Sequence, residues 1–342
     1  MEWDIFRKEI EDCLSIPSPS GDTGELLDFL ETKLQEMNVE TSRTKKGAVI
    51  AKIPGEYSES AKMLAAHVDT LGAMVKEIKD NGRLKVTGIG GYSWTSVEGE
   101  NVTVKVRSGK RFQGSLLPEE ASVHCFPETA REQVRLESNM EIRLDEPVFG
   151  RKETEKLGIR PGDLVVFEPR TVFLENGYIK SRYLDDKVCV AILLELIRTL
   201  KRERKRSVYF YFSNYEEIGH GISILPKEVE ELVALDIGTV AKGYQSEEHC
   251  VSICAKDAKT VYDLDLRRRL ERLAEQEGID YRTDVYYRYG SDASAVLQQM
   301  ADVRCALVGP GVDATHHYER THVDGIISTL KLLQAYLKET EG

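Results

Sequence analysis

The sequence predicts an α/β domain with a small all-β, barrel-like module inserted into it. Three observations carry this expectation. Largely apolar runs such as Lys62 to His67 (KMLAAH) and Ser207 to Phe212 (SVYFYF) alternate with amphipathic helical stretches near both ends of the chain. That is the pattern of an open sheet buried on both faces. Between about Gly72 and Thr171 the texture changes to short alternating runs broken by turn signals, as in an antiparallel module. The α/β texture then resumes, so the β-rich segment interrupts one larger domain.

The elements follow from local pattern. Residues 3–14 and 23–37 have a helical period, with Pro19 and Gly21 marking a turn between them and Asp22 or Thr23 available as a cap. Ala48 to Ile53 reads as a strand. Lys62 to His67 reads as a buried strand ending on the polar cluster HVDTLG; open α/β sheets place their chemistry at such carboxyl ends. In the β-rich segment the strand candidates are AMVKEI, LKVTGIGG, NVTVKVRSGKR, FQGSLL, MEIRLD and DLVVFEP, and Asp80-Asn81-Gly82 reads as a hairpin turn. Beyond it, Asp186 to Leu200 reads as a helix, and KRERKR at 201–206 as its solvated end, favourable to the helix dipole. Ser207 to Phe212 and Val233 to Ile237 are buried strands. Leu264 to Glu277 is a helix, Asp284 to Tyr289 a strand, Ser291 to Met300 a helix, Cys305 to Gly309 a strand and Ile326 to Leu337 a final helix.

Composition narrows the function classes. A chain of 342 residues can form one large domain and a smaller one. With 58 acidic and 47 basic residues, the net charge of −11 argues against a dedicated nucleic-acid or anionic-membrane binder. No apolar run reaches the roughly 18 residues of a membrane span; the best, Val188 to Ile197, is broken by Glu195. The N-terminal stretch MEWDIFRKEIEDCLS has helical period and no secretory pattern. Six scattered cysteines form no CxxC pair, which points to reduced thiols and a cytoplasmic protein. Cys250 and Cys254 lie in strand phase, as packing residues do.

Five places present His, Asp or Glu at a strand end or loop: His67 with Asp69, Asp185 with Asp186, Glu216 with Glu217, Asp236 in VALDIG, and His316 in ATHHYE. Each has an ordinary reading alone; Asp185 or Asp186, for instance, could cap a helix. Together they point to metal chemistry. Acids directly after strands as apolar as KMLAAH and SVYFYF are costly without cations to offset them. Two histidines and three carboxylates suit a two-metal site of zinc or cobalt type. Asp69, two residues after His67, is placed to orient a ligating imidazole. Of two adjacent glutamates, one can hold metal while the other acts as general base.

At these residues the sequence resembles the M42 family of metallo-aminopeptidases, which includes the tetrahedral and glutamyl aminopeptidases. The blocks run in order: AAHVDTLGAMV at 65–75, GIRPGDLVVF at 158–167, YLDDKVCVAILLEL at 183–196, NYEEIGHG at 214–221, ALDIG at 234–238 and YGSDASAV at 289–296. The resemblance implies a three-layer α/β/α catalytic domain at 1–72 and 172–342. It also implies an inserted β-rich domain at 73–171, serving dimerisation and substrate access. It implies two divalent metal ions per subunit, zinc or cobalt. Asp185 would bridge them, His67 and Asp236 would complete one position, and Glu217 with the C-terminal His would complete the other. Glu216 would be the general base and Asp69 the partner of His67. The chain departs from the family where Asn214 and Tyr215 replace the usual residues before the two Glu, and in the segment VGPGVDATHHYERTH. Counting from Val308-Gly309 selects His316 as the last ligand, with His317 and His322 as alternatives; Glu319 falls one residue closer to His316 than the pattern expects.

The expected function is removal of N-terminal residues from short peptides by water activated between two metals. A homo-oligomer is implied as well, built of dimers up to a dodecamer. The alternative use of the same site is hydrolysis of N-acyl amino acids or modified small peptides. A catalytically silent peptide binder would require a lost ligand or base, and none is missing. Paired carboxylates also occur in glycosidases, but the two histidines argue for metal.

Overall fold

The computed structural model describes residues 2–201 and 204–339. Thr70–Pro169 forms one compact unit and the flanking segments form the other.

In the larger unit, twelve strands form one sheet. Its main path runs Glu40–Arg43, Val49–Ile53, Arg206–Ser213, Tyr57–His67, Val229–Leu235, Arg304–Asp313, Glu319–His322, Tyr178–Ser181 and Val172–Phe173. Arg206–Ser213, Tyr57–His67, Val229–Leu235 and Arg304–Asp313 are successive parallel neighbours. Strands this apolar are stable only when both faces are covered. On one face, Met63 and Ala65 join Tyr209, Tyr211, Leu232, Ala234 and Leu307 in a core that includes Ala293 and Val296 of the Asp292–Gln298 helix. The Leu184–Thr199 helix lies against the Tyr57–His67 strand and packs on the Trp3–Ser15 and Val323–Lys338 helices. Its residues from Leu184 to Ile197 are all buried, as a helix central to one layer requires.

In the smaller unit, Gly72–Ile78, Leu84–Ile89, Met140–Leu144, Arg111–Pro118, Asn101–Lys105 and Leu164–Phe167 close into a six-stranded barrel. Asp80-Asn81-Gly82 makes the expected turn between the first two: Asn81 accepts the Arg83 N–H at 3.1 Å, and Gly82 takes φ +83°. Closure removes the open edges that such a small sheet would expose.

The helices and the long strands stand close to where local pattern placed them, with three departures. The strand expected at Asp284 to Tyr289 lies at Tyr281–Val285. Its partner strand ends at Lys256, so no ladder is left for the tyrosine-rich remainder. The basic run at 201–206 is not a solvated helix end: the helix stops at Thr199, Arg204 is buried and donates to the Leu337 carbonyl, and Arg206 opens a strand. Arg202 and Glu203 lie outside the described residues. Short strands such as Glu40–Arg43, Tyr178–Ser181 and Glu319–His322 went unmarked because they are held by pairing rather than by apolar content. Cys250 and Cys254 are buried as expected. No helix among the described residues is long and apolar enough to cross a membrane.

Candidate active site

Parallel pairing sets the geometry of the site. Ser213 stands opposite His67, and Ala234 opposite Ala65. Three strands therefore end at one edge of the sheet, where His67, the Glu216–Ile218 turn and Asp236 follow. Asp185 and Asp186, joined by a cis peptide, enter at the start of the Leu184–Thr199 helix, where both have non-helical backbone and precede its regular turns.

Asp185 sits between two imidazoles. Its Oδ1 is 3.1 Å from His67 Nε2, and its Oδ2 is 3.4 Å from His316 Nε2. Glu217 Oε2 is 3.4 Å from the same His316 nitrogen, and Glu216 Oε2 is 3.9 Å from His67 Nε2. Two sets of potential ligand atoms converge within 4.8 Å: one from His67, Asp185 and Glu217, the other from Asp185, Asp186 and Asp236. Asp185 belongs to both. The structure thus gathers His67, Asp69, Asp185, Glu216, Glu217, Asp236 and His316 into one cluster.

Asp69 reaches His67 mainly through its main chain. His67 Nδ1 lies 2.9 Å from the Asp69 carbonyl and 3.6 Å from its carboxylate. The carboxylate accepts the N–H groups of Glu216 and Glu217, at 3.0 and 3.2 Å, and the Ser20 hydroxyl. It clamps the turn that carries both glutamates.

Other residues support the site in roles that the sequence did not assign, Glu319 among them. Glu319 accepts the backbone N–H of Asp185 at 3.2 Å and of His316 at 3.0 Å, so one buried carboxylate holds two ligand-bearing segments. Thr315 donates its hydroxyl to Asp185 Oδ2 at 3.1 Å. Asp292 accepts from Ser213 and from the Ile222 N–H, pinning the chain beyond Glu217. Glu319 and Asp292 could have been found as members of the recognised segments. Ser20 lies in none of those segments, and its partner Asp69 is 49 residues away. Tyr183, Tyr215 and His316 all adopt left-handed backbone, with φ of 68°, 67° and 63°. Each departure costs a bulky residue on the order of 1–2 kcal/mol, and such strain collects at functional sites.

The site buries more acid than base. Burial and the Asp185 charge push Asp236 up to about 8. Burial also pushes Glu217 and Glu319 up to about 8, against the pull of His316. Glu216 and Asp186 rise well above the carboxylate range for the same reason, each worsened by Asp236. Burial opposes the Asp185 charge too, but His316 and His67 hold its pKa below the ordinary value. Asp186 Oδ1 is buried with no hydrogen-bond partner. A carboxylate oxygen left this way and so many crowded acids are what a cation would offset. The mixed imidazole and carboxylate donors fit a divalent metal ion.

His317 and His322 lie elsewhere. His317 Nδ1 accepts the Tyr318 N–H. His322 caps the Val323–Lys338 helix by accepting the Asp324 N–H, and its Nε2 donates to the Asn176 carbonyl. It stacks on His249, which contacts Asp324 and the Tyr178 hydroxyl.

An α/β domain with a closed β-barrel unit, and a cluster of His, Asp and Glu at the strand ends, fit the class of metal-dependent hydrolases. The profile of the M42 glutamyl aminopeptidases matches residues 47–332, and the chain belongs to that family. It is 47% identical over 333 residues to YhfE of Bacillus subtilis (strain 168), whose name assigns it an aminopeptidase activity by inference; the alignment covers 96% of each chain. Among solved structures it resembles the aminopeptidase APDkam598 of the archaeon Desulfurococcus kamchatkensis. That match has a TM-score of 0.88 and 22% identity over 99% of this chain and 96% of that one. It also resembles the TET1 peptidase of Pyrococcus horikoshii, titled as assembling into a tetrahedron or a large octahedral shell. There the TM-score is 0.85 with 22% identity over 97% and 99% of the two chains. At that identity the two structures speak to the fold.

Proposed function

We propose that this aminopeptidase removes N-terminal residues from short peptides with two divalent metal ions, zinc or cobalt, and Glu216 as general base. The observation that carries the reading is the Asp185 carboxylate, with one oxygen turned to His67 and the other to His316. His67 and Asp236 would complete one metal position, and Glu217 and His316 the other. Bound cations would polarise the scissile carbonyl and lower the pKa of water. Glu216 stands near His67 without being part of either three-residue ligand set. It takes the proton of the attacking water and returns it to the leaving amine. Asp69 holds the amides of Glu216 and Glu217, which keeps base and ligand in fixed relation. Glu319 does the same for Asp185 and His316.

The test is a panel of aminoacyl-4-nitroanilides and free dipeptides, assayed after chelation and after readdition of zinc, cobalt or manganese. Turnover should vanish on chelation and return with metal, and N-acetylated analogues should be refused. Turnover of the acetylated analogues alone would replace this reading by the deacylase. Turnover indifferent to chelation would remove the metals.

The Thr70–Pro169 unit is the proposed pairing module, with the domain boundaries near 72 and 172. Val134, Leu136 and Phe149 expose apolar side chains on it, and apolar surface of this kind favours association. Light scattering on the intact protein should give a multiple of the dimer mass; a monomer at micromolar concentration would end the proposal. Six free thiols, five of them buried, support a reducing, cytoplasmic setting.

A further inference from the structure

Tyr289 lies in the loop between the Tyr281–Val285 strand and the Asp292–Gln298 helix. Two contacts fix its place. Its ring packs on Tyr286 at 5.1 Å between centroids, and its carbonyl accepts the Ala258 N–H at 3.0 Å. Its hydroxyl is shut off from solvent and makes no well-formed hydrogen bond. Buried hydroxyls are rarely left so, because desolvation is then uncompensated. The side chain it interacts with most is Asp236, within reach of a hydrogen bond, while Asp185 acts on it through charge alone.

Asp236 has little freedom except in its side chain. Its N–H donates to the Val308 carbonyl at 3.1 Å. Its backbone is pressed so closely on the next strand that a Cβ on Gly309 would lie 1.8 Å from the Asp236 carbonyl oxygen. One carboxylate oxygen, Oδ1, accepts the Ile237 N–H at 2.7 Å. The rotation of the carboxyl group is left for one more donor to set. Metal-ligating carboxylates are held by outer donors of this kind, and their removal weakens metal binding.

We propose that Tyr289 is a positioning residue for Asp236, its hydroxyl donating to the carboxylate and orienting it toward a divalent cation. The inference rests on the reading of Asp236 as a metal ligand. Tyr289 touches neither water nor substrate, since its hydroxyl is closed to solvent; it acts through Asp236 alone. Neither the spacing of the six recognised segments nor the cluster of acids indicates this role, because Tyr289 is 53 positions from Asp236 and meets it only in the folded chain.

The test is Tyr289→Phe in the intact protein. The substitution keeps the ring on Tyr286 and removes one oxygen. Zinc and cobalt are titrated separately into the chelator-treated protein, with bound metal counted by elemental analysis at controlled free metal. Affinity for one equivalent should fall roughly 10–100-fold, the range for lost outer-sphere partners, while the other equivalent is retained. The loss in kcat should be reversed by excess metal, with little change in KM. Tyr286→Phe is the packing control: its hydroxyl is bonded to Ser246 at 2.7 Å, and its loss should leave metal affinity unchanged. Equal affinity for both equivalents in wild type and Tyr289→Phe overturns the inference while the metal reading stands. An equal loss in Tyr286→Phe also overturns it, by assigning the effect to packing. If Asp236→Ala binds as much metal as wild type, the reading of Asp236 itself fails, and this inference with it.

Discussion

The strand Val229–Leu235 carries a partly or fully buried acid near each end, and the two ends have opposite electrostatics. Near its start, Glu231 accepts from the Tyr336 hydroxyl at 2.8 Å and pairs with Arg269. Burial works against its charge, but Arg269 and Tyr336 outweigh it and hold the pKa below the ordinary value. Just past its end, Asp236 is buried among other acids and rises to about 8. One acid has a counter-charge that outweighs its burial; for the other, burial and the Asp185 charge outweigh the pull of His67. Buried charge that serves structure is paired within the fold, whereas buried charge without a partner marks a place built for something from outside.

Five changes should sharpen or break that contrast. The largest effect is expected of Asp185→Ala, which takes a carboxylate from both ligand sets. Metal content should fall at both positions together and aminopeptidase turnover should drop to background. A variant that keeps two equivalents of metal would show that Asp185 does not bridge.

Next in size is Glu216→Gln. It is nearly isosteric, so metal content should stay whole while kcat falls by about 10²–10⁴-fold, the range for a lost acid–base group. Glu217→Gln should instead lose metal, with partial recovery in excess metal. Near-native turnover of a fully loaded Glu216→Gln protein would send the search for the base to the other carboxylates.

Arg269→Ala probes the other end of the strand. Leaving Glu231 without its cation should lower stability by about 1–3 kcal/mol, measured by urea unfolding. Metal content and kcat should not change. A loss of metal in this variant would erase the distinction between the two ends.

The last change concerns Lys62, whose ammonium donates to the Tyr336 carbonyl at 2.6 Å. Burial lowers its pKa from 10.5 to about 7. Between those values the unfolded chain holds a proton that the folded chain lacks, so this group makes stability rise with pH from about 7 to 10.5. Below about 7 the full penalty of charging it in place remains. Lys62→Met should flatten that rise; unfolding midpoints at pH 7 and pH 10 that differ as much in the variant as in wild type would exclude Lys62 as its source.

Much of the fold was legible because the signals are local. The 3.6 period of Leu264–Gln276 and the apolar run of Arg206–Ser213 report burial directly. Tyr281–Val285 was misplaced because Tyr286, Tyr287 and Tyr289 look like a strand, yet the neighbouring strand ends at Lys256 and offers no ladder. Arg204 was misread as solvated because a carbonyl 133 residues away, that of Leu337, takes its guanidinium. In both cases the deciding partner is distant in sequence.

The same division runs through the site. Sequence alone determined which acids and histidines cluster at strand ends, because apolar strands must be buried and parallel strands must end together at one edge. It also marked Glu216 and Glu217 as adjacent groups, to which the proposal gives separate chemistry. Only the tertiary structure showed which of His316 and His322, six positions apart, stands beside Asp185 and Glu217. His316 takes left-handed backbone and turns to Asp185 and Glu217, while His322 is drawn off to cap a helix and to meet Asn176. Only the tertiary structure showed Asp69 holding the glutamate turn and Glu319 holding Asp185 and His316. A side chain's type and spacing say what chemistry it can do; where its hydrogen bonds go depends on which segments the packed sheet brings beside it.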